Sequence, residues 1–243
     1  MKSGRTVVVT GAGGGIGALL VDRFLCNDDT VVATDLTEDS LARFSAAGEN
    51  VVTVAGDISS ETDCGRIAEA ARARTGRIDI LVNCAGFFPL APVEELTADD
   101  WRRVIDINLT GVFLMTKAAL PLMKSGGWGR VINFGSGSFF AGAPNHAHYV
   151  AAKGGVIGLS RALATEFGQY NITVNVVTPG LTLTDAVRRS FPAAVVDRLR
   201  GQRALKRDQQ PEDLVGGVFF LASPDADFMT GQILNVDGGG TKY

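Results

Sequence analysis

The chain has 243 residues and a formal net charge of -3, from 23 Lys and Arg against 26 Asp and Glu. Without a basic excess, it lacks the electrostatic signature of a protein that binds nucleic acid or an anionic membrane surface. Its 46% hydrophobic and 20% charged residues are typical of a globular protein and exclude an intrinsically disordered one.

The beginning of the chain does not resemble a targeting segment. The apolar run at 7–9 ends at Thr10, which is shorter than the 7 to 15 apolar residues, roughly, of a signal peptide. We find no uninterrupted apolar run near the roughly 18 residues of a membrane helix. Cys26, Cys64 and Cys84 have neither metal-ligand nor redox spacing. We therefore expect a reduced, cytoplasmic protein with no membrane partner and no metal.

Short β-branched runs alternate along the chain with longer segments of helical periodicity. The continuous apolar character of the short runs is typical of strands buried on both faces of a parallel sheet. Alternation of this kind predicts an α/β fold, with about seven strands in a doubly wound parallel sheet and helices on both faces. With no linker or repeat, 1–243 is predicted to be a single domain. Strands are predicted at 6–9, 30–34, 51–54, 78–82, 131–134, 173–177 and 233–236, and helices at 16–26, 66–74, 99–123, 149–167 and 213–221.

A glycine-rich turn links the first strand to the first helix. Residues 10–17 read Thr-Gly-Ala-Gly-Gly-Gly-Ile-Gly. Glycine is needed where a backbone bends tightly or approaches a pyrophosphate, which then lies on the N–H groups at the helix N-terminus. Glycines alone could form a purely structural turn, but the strand-turn-helix context favours a Rossmann-type dinucleotide site.

Asp35 ends the second strand, 18 residues after Gly17. A carboxylate there accepts hydrogen bonds from the adenosine ribose hydroxyls and repels the 2′-phosphate of NADP. The next residue is Leu36, so no adjacent arginine could neutralise that phosphate. The alternative role for Asp35 is an N-cap of the following segment. We favour NAD as the cofactor.

Tyr149 and Lys153 are four residues apart in a predicted helix, so they project from one face. A tyrosine hydroxyl has a reference pKa of about 10, and a nearby ammonium group favours the phenolate. Lowering that pKa to near 7 requires roughly 4 kcal/mol of differential stabilisation, which a lysine and a positive nicotinamide ring could supply in a water-poor cleft.

In combination, these motifs resemble the short-chain dehydrogenase/reductase family over nearly the whole chain. The resemblance implies an Asn-Ser-Tyr-Lys tetrad, with Tyr149 as general acid/base and Ser136 holding the substrate oxygen. It further implies that Lys153 lowers the tyrosine pKa and binds the nicotinamide ribose, and that Asn108 anchors a water. Ser138 is a rival for the serine role, but Ser136 has the usual spacing, 13 residues before the tyrosine. The matching residues are those of the 10–17 turn, Asp57-Ile58, Asn83-Cys84-Ala85-Gly86, Asn108, Ser136, Tyr149 to Lys153, Pro179 to Thr184 and Val236-Asp237-Gly238-Gly239.

The resemblance also implies cofactor contacts. Cys84 departs from the family, which most often has asparagine there, and we interpret it as a small buried residue. Asp57 and Ile58 would flank the adenine, and Thr184 would contact the carboxamide. The complete predicted cofactor set is Gly11, Gly15, Ile16, Gly17, Asp35, Asp57, Ile58, Asn83, Ala85, Gly86, Tyr149, Lys153, Pro179, Gly180, Thr182 and Thr184.

Five phenylalanines fall in the stretches that surround the substrate in this family. Such aromatic walls suit an apolar or aryl secondary alcohol or its ketone, although each ring could instead face the core or a subunit interface. Residues 86–90 and 128–149 are similar to those of NAD-dependent 1-phenylethanol dehydrogenases. The two histidines could line the pocket mouth, but we favour plain surface exposure. The predicted pocket is Phe87, Phe88, Ser138, Phe139, Phe140, His146, His148 and Phe191.

Two alternative functions remain open. A 3-oxoacyl-carrier-protein reductase would prefer NADP, which Asp35 opposes. A non-catalytic NAD sensor would not need the tetrad that this chain retains. The resemblance further implies a homotetramer and a substrate lid at about 183–207. We interpret the basic cluster in that segment as the solvated face of a mobile helix, although it could grip an acidic substrate.

Overall fold

The computed structural model describes residues 4–242, and these form one seven-stranded sheet with helices on both faces. All strands are parallel and their order is β3-β2-β1-β4-β5-β6-β7. The single-domain prediction also covers residues 1–3 and 243, which lie outside the described residues. The strands are β1 (Thr6–Thr10), β2 (Thr30–Asp35), β3 (Val51–Ala55), β4 (Ile80–Asn83), β5 (Gly129–Phe134), β6 (Ile172–Pro179) and β7 (Ile233–Val236).

The helices form two layers, each with its own hydrophobic core. On one face α1 packs against α10, and on the other α3 packs against α5. The predicted doubly wound fold is therefore confirmed. The helices are α1 (Gly15–Leu25), α2 (Glu38–Leu41), α3 (Glu61–Thr75), α4 (Ala98–Ile105), α5 (Gly111–Gly126), α6 (Ser138–Ala141), α7 (Ala147–Phe167), α8 (Asp185–Ser190), α9 (Ala193–Gln202) and α10 (Glu212–Leu221).

Two predicted helices differ from those observed. Helix α3 begins at Glu61, five residues before the predicted start, because the hydroxyl of Ser60 caps the helix by accepting a hydrogen bond from the Asp63 N–H. The segment predicted as one helix at 99–123 is α4 and α5 joined by a π-helical turn, Asp106–Thr110. Such turns are frequent at functional sites, and this one carries Asn108.

One stretch of the described chain, Ala98–Gly126, passes a length and composition test for a membrane helix, with a mean hydropathy of 1.3. Core helices of globular proteins pass the same test. Here α5 packs on α3, and α4 packs on α7, so both helices are part of the globular fold. The absence of a membrane partner stays a prediction.

The turn between β1 and α1 is packed too tightly for side chains. Gly11 has φ +69°, and a Cβ on it would lie 2.7 Å from the Cα of Ala85, just beyond β4. A Cβ on Gly17 would lie 2.7 Å from the carbonyl carbon of Gly11 and closer still to its oxygen. Glycine is therefore a steric requirement at both positions. This contact joins the first turn of α1 to the end of β4.

We predict that Gly17→Ala destabilises the unliganded protein by about 1–3 kcal/mol, the usual cost of overpacking. Thermal unfolding without nucleotide measures the effect. Gly65→Ala is the matched control, because Gly65 lies inside α3 with open space where its Cβ would be. Helix propensity should make that variant more stable by about 0.5–1 kcal/mol. Equal stability of Gly17→Ala and the parent would contradict the packing argument.

Candidate active site

The carboxyl ends of β1 and β4 define a crevice, because the chain crosses from β3 back past β1 to start β4. Open α/β sheets bind ligands at such a switch in strand order. The N-cap of α1 is Gly14, which supplies no side-chain cap, and the first helical turn has no acidic residue. The first N–H groups of α1 are thus directed into the crevice without a side-chain partner. This arrangement fits a pyrophosphate.

Asp35 lies against the glycine turn. Its Oδ2 accepts a hydrogen bond of 2.9 Å from the Gly13 N–H, and its Oδ1 accepts one of 2.7 Å from the Leu36 N–H. The cap of α2 is Thr37, whose hydroxyl accepts from the Ser40 N–H. The alternative role of Asp35 as a helix cap is therefore wrong. The Asp35 carboxylate therefore lies beside the nucleotide crevice, and each of its oxygens can accept a further hydrogen bond.

The ends of β1 and β4 are joined by the Thr10 hydroxyl, which accepts hydrogen bonds of 3.1 Å from the N–H groups of both Cys84 and Ala85. Asn83 does not face the crevice. Its amide donates to Asn133 Oδ1 at 2.8 Å and to the Thr116 hydroxyl at 3.2 Å. Any contact of Asn83 with a cofactor would have to come from its backbone.

The other predicted cofactor residues line the same edge of the sheet. Asp57 Oδ1 accepts from the N–H and hydroxyl of Ser59, which shapes the turn before α3. Ile58 packs on Gly111, where a Cβ would lie 3.0 Å from the isoleucine side chain. Thr184 caps α8, and its methyl group would be 3.2 Å from a Cβ on Gly15. The segment after β6 thus lies directly over the glycine turn.

Tyr149 lies in the first turn of α7, and its side chain reaches Ser136, two residues after the end of β5. A hydrogen bond joins the Tyr149 hydroxyl to Ser136. The Ser136 hydroxyl is also 2.8 Å from that of Ser138, and it accepts a hydrogen bond of 3.2 Å from the Ser138 N–H. Ser136 is therefore the serine bonded to the tyrosine, while Ser138 supports it.

Lys153 is 3% exposed, and its Nζ donates a 2.8 Å hydrogen bond to the Phe134 carbonyl. That nitrogen is 5.6 Å from the centroid of the Tyr149 ring. Gly86 lies between Lys153 and Asn108, since its Cβ would be 3.9 Å from Nζ and 3.1 Å from Asn108 Oδ1. The tetrad residues thus converge on one end of the sheet.

Asn108 is fully buried in the π turn. Its Oδ1 accepts from the Phe87 N–H at 3.2 Å, and its Nδ2 donates to the Phe87 carbonyl at 2.7 Å. A second bond from Nδ2 reaches the Val104 carbonyl at 3.0 Å. In the unliganded chain Asn108 therefore holds the loop after β4 in place. Its predicted role in anchoring a water stays a prediction.

Burial disfavours the charged form of both titratable tetrad residues. Desolvation raises the pKa of Tyr149 to about 12, although the hydrogen bond with Ser136 acts in the opposite direction. Desolvation also lowers the pKa of Lys153 to about 8. The expectation that Lys153 depresses the tyrosine pKa does not hold for the unliganded chain, because the lysine is bonded to Phe134 and burial dominates. The nearby Cys84 thiol is not reactive, since burial raises its pKa to about 12.

The five predicted pocket phenylalanines lie in three different environments. Phe88 meets the Tyr149 ring edge-on, with centroids 6.4 Å apart, and Phe191 lies 6.0 Å from the ring of His146. Phe87 instead stacks under the Arg103 guanidinium at 5.0 Å. Phe139 and Phe140 contact each other, with ring centroids 5.0 Å apart. The Phe139 ring also packs on Gly154 of α7.

The favoured expectation of surface-exposed histidines is wrong. His146 is 6% exposed and His148 is fully buried. His146 precedes α7, and its ring is 5.3 Å from that of Tyr149. His148 is one residue before Tyr149 in the first turn of α7, a helix that packs against α4 and β6. Among residues 4–242, no group of three or more His, Cys, Asp or Glu could hold a metal.

The predicted lid segment, 183–207, contains α8 and α9 and is closed at its base. The Leu183 N–H donates to the Gln209 carbonyl at 2.8 Å, and Arg203 donates to the Leu181 carbonyl at 2.6 Å. Two further arginines of the basic cluster are paired with carboxylates: Arg200 with Asp208, and Arg207 with Asp213. The interpretation of the cluster as a solvated face is therefore wrong for Arg203, which is 5% exposed, whereas the side chains of Arg200 and Arg207 are still 37% and 58% exposed.

Sequence reasoning missed two residues that shape the site, Arg203 and Gln209. Both are buried, at 5% and 4% exposure, and both bind backbone carbonyls at the base of the lid. The segment 183–207 contains seven basic residues, and nothing in its sequence singles out the one arginine that is directed inward. Only the fold shows that 203 faces the end of β6.

Comparison with known proteins agrees with this geometry. The profile of the family described as "Enoyl-(Acyl carrier protein) reductase" matches residues 11–241. The trans-4-hydroxycyclohexanecarboxylate dehydrogenase of Sinomonas cyclohexanicum is 38% identical, with 98% of this chain and 93% of that protein covered. The D-threitol dehydrogenase of Mycolicibacterium smegmatis is 34% identical, with the same coverage.

Solved structures give the same assignment. The crystal structure of a short-chain dehydrogenase/reductase from Brucella melitensis, titled a glucose/ribitol dehydrogenase, superposes with a TM-score of 0.93. It is 34% identical, and the match covers 99% of this chain and 98% of that one. With the tetrad residues gathered opposite the glycine turn, the chain belongs to the short-chain dehydrogenase/reductase family of oxidoreductases that act on alcohols and ketones.

Proposed function

We propose that the protein transfers a hydride reversibly between NAD(H) and a secondary alcohol or its ketone. The alcohol or ketone group is attached to an apolar or aryl ring, as in 1-phenylethanol. The observation that carries the proposal is the Tyr149 hydroxyl bonded to Ser136, beside Lys153 and opposite the glycine turn. A non-catalytic sensor would have no use for this constellation.

The chain's own residues supply orientation and a proton path. Nicotinamide chemistry supplies the hydride acceptor or donor when the cofactor is bound. Ser136 is placed to donate a hydrogen bond to the substrate oxygen, while the Tyr149 hydroxyl takes or returns its proton. Burial keeps Tyr149 protonated and weakens the positive charge of Lys153 in the unliganded chain. A positive ring in the crevice would favour the phenolate and activate the tyrosine as a base.

Aromatic walls support a ring-bearing substrate. Phe88 and Phe191 border the tyrosine and the lid, and neither ring offers a polar group. One similar protein is named for a hydroxylated cyclohexane carboxylate, which agrees with a cyclic alcohol. The second candidate is reduction of a 3-oxoacyl thioester; the matching family profile is described by a reductase of carrier-bound acyl groups, although of the enoyl and not the 3-oxoacyl kind. The exposed Arg188 and Arg189 of α8 could then contact an acidic carrier.

The first test measures NADH formation from NAD with both enantiomers of 1-phenylethanol and with cyclohexanol. We expect turnover, and we expect Tyr149→Phe to retain NADH binding while losing about 10²–10⁴-fold in kcat, the usual contribution of a general acid/base. Tyr170→Phe is the matched control, because that ring packs under Lys124 at 4.0 Å, away from the tetrad. Normal turnover by Tyr149→Phe would remove the tyrosine from the mechanism. Inactivity on all alcohols, with NADPH-dependent reduction of a 3-oxoacyl thioester, would replace the proposal by the second candidate.

Preference for NAD is tested at Asp35. We expect Asp35→Asn, which keeps an acceptor for the Gly13 N–H, to raise the ratio of kcat/KM for NADP over NAD roughly tenfold or more. Removing a carboxylate near the 2′-phosphate relieves repulsion of about 1–4 kcal/mol. Asp39→Asn is the control, since it removes the same charge from the exposed first turn of α2. An unchanged ratio would show that Asp35 does not select the cofactor.

We also propose a homotetramer in the cytoplasm. Trp101 of α4 and Phe113 of α5 are 41% and 43% exposed. These two helices therefore present large apolar side chains on the surface of the protomer, which contact with another subunit would bury. Light scattering should give four times the chain mass of 25.5 kDa. A monomer at micromolar concentration would contradict the tetramer without affecting the proposed chemistry.

A further inference from the structure

His146 is a polar residue in an otherwise aromatic corner of the site. It is 6% exposed, so it is more than nine-tenths buried. Its ring lies 5.3 Å from the ring of Tyr149 and 6.0 Å from that of Phe191 on the lid. His146 Nε2 is closed to solvent in this conformation, so a substrate would contact it when the segment that carries Phe191 moves aside.

One ring nitrogen of His146 is engaged and the other is not. The ring donates a hydrogen bond to the Phe88 backbone carbonyl. Within residues 4–242, Nε2 is buried without a hydrogen-bond partner. We therefore assign the interaction with Phe88, and the ring proton, to Nδ1. Burial lowers the pKa of His146, which favours the neutral ring. A neutral ring with a proton on Nδ1 presents Nε2 as a hydrogen-bond acceptor.

The surrounding residues do not supply a donor for that acceptor. Phe88 and Phe191 offer only ring carbons, and the Tyr149 hydroxyl is bonded to Ser136. The Ser136 and Ser138 hydroxyls are bonded to each other at 2.8 Å. A buried acceptor without a partner carries a free-energy cost, and native proteins rarely retain one without a function.

We propose that His146 Nε2 accepts a hydrogen bond from a second hydroxyl group of the substrate, on the same ring system as the alcohol that is oxidised. The substrates would then be hydroxylated ring alcohols, held at one oxygen by Ser136 and Tyr149 and at the other by His146. This inference rests on the proposed function and specifies its substrate class.

Discrimination should be large because a site built to bind a hydroxyl rejects analogues that lack it, whereas an apolar pocket discriminates weakly. The same pocket without the acceptor should penalise a hydroxyl, since the group would be desolvated and left unpaired. Removing Nε2 should therefore reverse the preference for the hydroxylated substrate. Mere loss of activity would not show such a reversal.

The experiment compares matched substrates on the wild-type enzyme with NAD. The pairs are 1-phenylethanol against its 2-, 3- and 4-hydroxyphenyl analogues, and cyclohexanol against 1,2-, 1,3- and 1,4-cyclohexanediol. We expect at least one hydroxylated compound to exceed its parent about tenfold or more in kcat/KM. Calorimetric titration of the enzyme–NADH complex with the same alcohols gives a binding readout that does not depend on turnover.

Two variants test the residue. His146→Phe keeps an aromatic ring and removes the acceptor, so the ratio of kcat/KM for the preferred hydroxylated compound over that for its parent should fall to one or below. His146→Gln places an amide near the position of Nε2 and should restore part of the preference. Should His146→Phe fail to fold, as judged by NADH binding and thermal unfolding, the wild-type ratios and His146→Gln still decide.

The outcomes separate the two proposals. Turnover of the parent alcohols with no hydroxylated compound preferred, or a preference unchanged in His146→Phe, would overturn the role of His146 and leave the proposed function intact. That result would mean that Nε2 serves only a water molecule. Absence of turnover with every alcohol would contradict the proposed function. The calorimetric comparison of parent and hydroxylated compounds would then decide the inference by itself.

Discussion

The close approach of the glycine turn to the end of β4 is the constraint on which the site depends. Gly11 leaves no space for a Cβ against Ala85, and Gly17 leaves none against the Gly11 carbonyl. This contact brings the N-terminus of α1 to the crevice between β1 and β4 and holds its N–H groups without side-chain caps. The neighbouring loop then places Gly86 between Asn108 and Lys153. One steric requirement therefore positions both the nucleotide cradle and part of the tetrad.

Burial sets the electrostatic state of the site. Tyr149, Lys153 and His146 are each shifted toward their neutral forms by desolvation. A low-dielectric crevice of this kind strengthens the effect of any charge that enters it. The unliganded protein thus holds its proton-transfer residues in place without activating them, and arrival of a positive ring is the event that would favour the phenolate. Protonation and cofactor binding are coupled through the same few side chains.

The lid illustrates how charge composition can mislead. Its basic residues suggest a surface that grips anions, yet Arg203 is buried against the Leu181 carbonyl, and Arg200 and Arg207 are bound to aspartates. These bonds fasten the base of the segment, where Leu183 also pairs with Gln209. Between α8 and α9, Phe191 lies with its ring centroid 6.0 Å from that of His146, so this segment also borders the site.

Local sequence determined the parallel sheet, the glycine turn and the Tyr149–Lys153 pair, because buried strands, steric limits on glycine and helical spacing all act over a few residues. The tertiary structure alone decided the orientation of side chains that no local rule fixes. The amide of Asn83 faces Asn133, the π turn directs Asn108 to the Phe87 backbone, and Arg203 points inward. The burial of both histidines was likewise decided by helix packing, since a His-x-His spacing is the same on a surface and in a core. These features arise from contacts between residues far apart in the chain, which sequence periodicity does not encode.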